Sequence, residues 1–164
     1  MSLTCVSMKG MYRYFLGILA VFTLVSNQAA ALCVSAEQAN LRSEPSAHSK
    51  LVWTVGKYMP LLALEQKGSW VKVQDLEGKK MWIFANLVST EIDCTVVKVS
   101  KANLRKGPGA KFPQTPLSFA HKFMPFKKIG RDGAWLHVQD DYGYKHWVVE
   151  NNIWEPLNYT KLTY

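Results

Sequence analysis

The residues best equipped for chemistry in this chain of 164 residues are four histidines and three cysteines. The histidines are His48, His121, His137 and His146, and only the last two stand near acids, flanking a hairpin that also holds Asp140 and Asp141. Metal ligation asks for more defined ligand spacing than this, so no metal and no other cofactor is expected. No activated nucleophile and no paired acid and base stand out, and the expectation is a chain that is not an enzyme. Of the cysteines, Cys5 belongs to an apolar front segment, whereas Cys33 and Cys94 stand at matching places ahead of two similar stretches. An even count in an exported protein favours a disulfide, which would add roughly 4 kcal/mol in the chain-entropy model; two buried or free thiols are the alternative.

With catalysis set aside, the chemistry left is recognition. Arg42 and Arg105 occupy equivalent places at the entrance of a loop. Each either contacts a ligand at the loop edge or braces the loop against carbonyls or a carboxylate. Lys106 follows Arg105 directly in a Lys106-Gly107-Pro108-Gly109 loop. Trp53, Phe112 and Tyr142 have no aromatic counterpart in the other stretch, and Tyr58 answers to Phe123. An aromatic floor with a few charges suits a sugar or an extended peptide; packing in a core or between domains is the competing use. Trp70, Trp82, Trp135 and Trp147 recur in both stretches and are expected to pack.

The elements that must carry these residues come twice. Ala39-Asn40-Leu41-Arg42 with Pro45 is matched by Ala102-Asn103-Leu104-Arg105 with Pro108. Gly68-Ser69-Trp70-Val71-Lys72-Val73-Gln74-Asp75 is matched by Gly133-Ala134-Trp135-Leu136-His137-Val138-Gln139-Asp140. The offset grows from 63 to 65, so a two-residue insertion lies in the second copy. A unit of this length is a small domain rather than a solenoid repeat. Within it, extended segments are expected at Val34 to Leu41, Leu51 to Val55, Leu61 to Glu65, Trp70 to Gln74 and Lys80 to Phe84, with Ala85 to Val88 closing the unit as a helical turn. Val71 and Val73 alternate with Lys72 and Gln74, the strand period. Leu76-Glu77-Gly78-Lys79 and Asp141-Tyr142-Gly143-Tyr144 are hairpin signals. No stretch shows an amphipathic helical period. The fold class is all-β, and several short strands in about sixty residues point to a small, partly open barrel.

The front end reads differently. Lys9 and Arg13 precede an apolar run from Tyr14 to Val25, and Ala29-Ala30-Ala31 supplies small residues for cleavage. That is the pattern of a secretory signal peptide cut after Ala31, with an uncleaved membrane anchor as the alternative. Met8 and Met11 leave a basic front end as Met1 does. Leu32 before Cys33 is too bulky for lipoprotein processing. Charge divides unevenly behind this segment. The chain is +8 overall; Leu32 to Asp93 holds seven basic and seven acidic residues, whereas Cys94 to Tyr164 holds eleven basic and five acidic. Lys98, Lys101, Arg105, Lys106 and Lys111 crowd the start of the second copy. A basic face favours anionic partners, or serves only as a solvated surface.

The pattern Ala-Asn-Leu-Arg-x-x-Pro, then Gly-x-Trp-x-x-Val, then Gly-x-x-x-Trp with a branched aliphatic resembles the bacterial SH3-like domain. Both copies carry it, over Ala39 to Pro45, Gly68 to Val73 and Gly78 to Ile83, and again over Ala102 to Pro108, Gly133 to Val138 and Gly143 to Val148. One departure is that Met81 and His146 stand where the family often has glycine before the second tryptophan. The resemblance implies two tandem β-barrels of five to seven strands: a signal peptide over 1–31, SH3-like domains over 32–90 and 91–158, and a tail over 159–164. It further implies an exported chain, periplasmic or secreted, that binds peptidoglycan or another anionic envelope polymer. An adaptor that docks an envelope protein is the alternative. Nucleic acid is not expected as a partner, and membrane contact is expected only if the signal stays uncleaved.

Overall fold

The computed structural model describes residues 30–156. The expected signal peptide, apart from Ala30 and Ala31, and the expected tail over 159–164 lie outside the described residues. Among the described residues, fourteen strands form two seven-stranded sheets, all of whose ladders are antiparallel. The first sheet contains β1 (Ala31–Val34), β2 (Gln38–Arg42), β3 (Leu51–Gly56), β4 (Pro60–Lys67), β5 (Trp70–Gln74), β6 (Lys80–Phe84) and β7 (Val88–Ser89), in the order β3-β2-β6-β5-β4-β1-β7. The second contains β8 (Cys94–Val97), β9 (Lys101–Arg105), β10 (Gln114–His121), β11 (Pro125–Asp132), β12 (Trp135–Gln139), β13 (Lys145–Val149) and β14 (Ile153–Trp154), in the order β10-β9-β13-β12-β11-β8-β14. Position by position, the two orders are the same.

Each sheet curls because both of its ends feed one core. In the first, Val34, Leu41, Val55, Leu61, Val73 and Ile83 come from six different strands and meet in a single cluster. A flat sheet cannot bring its edge strand and its far strand onto one set of side chains. Bulges at equivalent places, between Ala63 and Glu65 in β4 and between Lys128 and Gly130 in β11, provide the bend. The second core repeats the first, with Phe126 replacing Leu61 as its largest fully buried side chain.

Two details differ from the sequence expectation. The segment from Val34 to Leu41 is not one strand; it breaks at Ser35 to Glu37, which lets β1 pair with β4 while β2 pairs with β3. The four repeated tryptophans pack, but outside the two cores. Strand alternation accounts for this: Val71 and Val73 in β5, and Met81 and Ile83 in β6, take the inner face, so Trp70 and Trp82 fall on the outer one. There Trp70 meets Phe84 edge to face, and the Lys72 ammonium sits 5.5 Å from the Trp82 ring. The closing helical turn is present in both copies, at Ala85–Leu87 and Glu150–Asn152.

The two sheets touch through side chains of both. Cys33 and Cys94 are joined by a disulfide with a Cα–Cα distance of 5.9 Å. Val96 of β8 belongs to the first core cluster. Lys122 forms an ion pair with Glu77 at 2.6 Å. Tyr58 and Phe123 stand at equivalent turns with φ of 67° and 69°, the left-handed region that bulky residues rarely enter. Each is tied there by its own N–H, Tyr58 donating to the Val34 carbonyl and Phe123 to that of Val97. In Phe123 the consequence reaches across the molecule, because its ring lies edge-on to Trp53 at 5.1 Å and packs against the first core.

Candidate functional site

The loops that follow β2 and β9 are braced the same way. The Arg42 guanidinium donates to the Ser49 carbonyl at 2.6 Å, and that of Arg105 to the Phe112 carbonyl at 2.7 Å. Each arginine closes a loop of seven residues by satisfying a backbone acceptor that has no ladder partner. Backbone bonds from Ser43 N–H to the Lys50 carbonyl, and from Lys106 N–H to that of Pro113, seal the loop necks. In the second loop the Phe112 ring lies directly on Gly107, where a Cβ would come within 2.4 Å of it. That contact is why the position takes glycine. The Lys111 ammonium stands 5.7 Å from the same ring, and the Lys106 side chain points to solvent.

Arg105, Lys106 and Phe112 therefore share one loop. Arg42 lies elsewhere, lining a groove of about 410 Å³ with Asn40, Ala47, Trp70, Phe84 and Leu87 in the first sheet's unit. Trp53 is half-buried between the two sheets against Phe123. Tyr58 is half-buried in its turn, with the Lys57 ammonium 5.6 Å from its ring. Tyr142 is 83% exposed at the tip of the β12–β13 hairpin. The candidates thus do not converge on one pocket.

One arrangement joins the His146 and Asp140 of the hairpin to a residue far away in sequence, Thr115. His146, Asp140 and Thr115 are all buried, and they bond to one another. His146 Nδ1 lies 2.9 Å from Thr115 Oγ1, and its Nε2 lies 3.3 Å from Asp140 Oδ2. The Asp140 Oδ1 accepts from the Tyr144 N–H. Hydroxyl, imidazole and carboxylate in series suggest a nucleophile relay, yet the hydroxyl is already spent. Thr115 Oγ1 donates its single proton to the Leu117 carbonyl at 2.8 Å. The trio instead pins the irregular stretch between Gln114 and Phe119, where the β9–β10 register shifts. That stretch contains the two-residue insertion. The sequence signal was available in the change from Met81 to His146 at one repeat position, together with the insertion facing it.

His137, the other histidine of this hairpin, lies flat on Trp147, with ring centroids 4.4 Å apart and planes within 2°. Burial pushes its imidazole below the usual histidine range, and the Lys145 ammonium adds to the effect. A lowered pKa means that the folded protein binds fewer protons here than the unfolded chain does. The associated stability is therefore intact above the unfolded pKa of about 6.5 and is lost as pH falls from there through the folded pKa. Urea midpoints taken from about pH 7.5 down to about pH 5 are expected to fall less steeply in His137→Gln than in the unaltered protein. Equal slopes in the two would refute this.

Residues 35–90 match the model of the Bacterial SH3 domain. The chain is similar to an NlpC/P60 family protein from Bacillus cereus ATCC 10987, at 15% identity and a TM-score of 0.37, over 76% of this chain and 56% of that one. It is similar to NlpC1 from Trichomonas vaginalis, at 10% identity and a TM-score of 0.35, over 80% of this chain and 48% of that one. It is also similar to the endolysin LysPBC5 CBD, at 16% identity and a TM-score of 0.30, over 77% of this chain and 93% of that one. The chain spans about half the length of the first two. No curated protein matches it. Residues 35–90 therefore form a bacterial SH3 domain, and the same strand order repeated from Cys94 to Trp154 makes the described chain two tandem SH3-like units.

Proposed function

We propose that this chain is a non-catalytic binding module of the bacterial envelope that recognises peptidoglycan or an anionic polymer attached to it. The observation that carries this is the uncompensated charge on the second unit. Lys98, Lys101, Lys106 and Lys111 are exposed, and among the described residues none of them has a carboxylate within ion-pair distance. Three of that unit's five acids are engaged elsewhere, Glu150 with Arg131, Glu155 with Lys128 and Asp140 with His146, and the other two, Asp132 and Asp141, lie outside this lysine-rich stretch. A field of one sign on one unit, beside a loop held rigid by Arg105, attracts a polyanion and presents it a fixed surface. Neighbours named as an NlpC/P60 family protein and as an endolysin CBD are compatible with a wall ligand.

The test is co-sedimentation of the exported protein with purified sacculi across a salt series. Pelleting is expected at low salt and is expected to weaken as salt screens the lysines. The double variant Lys106→Glu and Lys111→Glu is expected to pellet less at every salt concentration. Absence of pelleting at low salt would sink the reading and shift attention to an acidic protein partner.

A further inference from the structure

We propose that the second unit also carries an uncharged sugar subsite, in the cavity between the start of β10 and the β12–β13 hairpin, and that it takes an N-acetylated hexosamine ring. This deepens the envelope-polymer reading and rests on it. The cavity holds about 370 Å³ and is walled by Pro116, Leu117 and Tyr144, with Lys145 at the rim. Its floor is the trio of Thr115, His146 and Asp140. Three buried polar side chains therefore hold one wall of a single cavity in place.

That wall exists in one copy only. The residues two and three places into β10 belong to the insertion region, and the first unit has Glu77, Lys79 and Met81 where the second has Tyr142, Tyr144 and His146. The inserted residues and two of these replacements, Tyr144 and His146, thus adjoin one cavity. They also leave apolar surface in water: Leu117 is 39% exposed, Tyr144 68% and Tyr142 83%. Exposed apolar groups beside a concave site mark a binding surface.

The chemistry of the site selects the ligand. The floor groups bond to each other, so they ask for no charge. Asp141 and Lys145 on the hairpin have opposite signs, unlike the all-basic loop. An added peptide strand needs a regular edge with free backbone groups. Here β10 is an edge strand, but its register shifts at this point, and the Leu117 carbonyl already accepts from Thr115. A pyranose needs no ladder. Its C–H face stacks on the Tyr144 ring, its hydroxyls turn to Lys145 and water, and an acetamido methyl fits against Pro116 and Leu117.

The experiment titrates the full chain with chitotetraose and, separately, with cellotetraose and a wall stem tetrapeptide, following backbone amides by NMR. Chitotetraose is expected to saturate with a Kd of about a millimolar, moving Leu117, Tyr144 and His146. Cellotetraose, which lacks the acetamido group, is expected to bind more weakly. Tyr144→Ala and Leu117→Ser, both at exposed positions, are expected to weaken chitotetraose by about ten-fold while the rest of the spectrum stays unchanged. No saturable shifts, an unchanged affinity in both variants, or the tetrapeptide moving the same amides in place of chitotetraose would overturn the proposal. The two readings separate cleanly. Sacculus pelleting without chitotetraose binding overturns only the sugar subsite. Chitotetraose binding without pelleting overturns the wall reading.

Discussion

Replacing Cys33 and Cys94 together by serine is expected to lower the unfolding free energy by about 4 kcal/mol. The bond spans 61 residues of sequence and encloses the first unit from Cys33 onward, all but the first two residues of β1. It therefore removes conformations chiefly from the unfolded ensemble of that unit. The second unit begins at the crosslink and has most of its chain outside the loop, so its own transition should move far less. A domain of this size has a modest core to rely on, and a shift of roughly 4–8 °C per kcal/mol makes the effect large in a thermal melt. Urea denaturation followed by tryptophan fluorescence checks it, with the reduced unaltered protein expected to match the double variant. Equal midpoints for the oxidised protein and the double variant would refute it. Lys122–Glu77 and Trp53–Phe123 still join the units without the bond. An exposed ion pair contributes at most about 1 kcal/mol, so these contacts do not substitute for the crosslink.

Phe126→Ala is expected to destabilise the second unit by about 3–5 kcal/mol. Phe126 is fully buried, packs with Leu104, Leu136 and Val148, and meets His146 edge to face at 6.0 Å. Truncation loses the transfer energy of the ring and leaves a cavity that strands on every side hold open. Because that amount is a large fraction of a small domain's stability, the second unit should unfold at a lower denaturant concentration than the first. Two resolved transitions, with the amides of β8 to β14 lost first, are the expected result. A loss below about 1 kcal/mol would mean that the core collapses around the gap. Leu61→Ala, at the matching place in β4, should produce the mirror pattern in the first unit.

Much of the fold was legible in the residues. Asn40-Leu41-Arg42 and its echo at Asn103 located β2 and β9, and the alternation of Val71 and Val73 identified the inner face of β5. That same alternation already placed Trp70 on the outer face with Lys72, although the size of tryptophan argues for the core. The break at Ser35 to Glu37 was not legible, because nothing local shows that β1 must leave β2 to pair with β4. In the candidate site, the loop of Arg105, Lys106 and Phe112 could be read as one unit because its parts lie within eight residues. The trio of Thr115, Asp140 and His146 could not, since 31 residues separate Thr115 from His146.

The sequence by itself determined the duplication, the strand period, the hairpins at Gly78 and Gly143, and the contrast between a neutral and a basic copy. These are local properties, expressed in the spacing and charge of neighbouring residues. Only the tertiary structure decided which solitary aromatics remain available. Trp53 turned inward onto Phe123, whereas Tyr142 and Tyr144 stayed in water. It likewise decided that the hydroxyl of Thr115 donates to the Leu117 carbonyl and so holds the inserted wall. Both outcomes depend on which strands the curled sheet brings together, and that closure is set by the core as a whole rather than by any one segment.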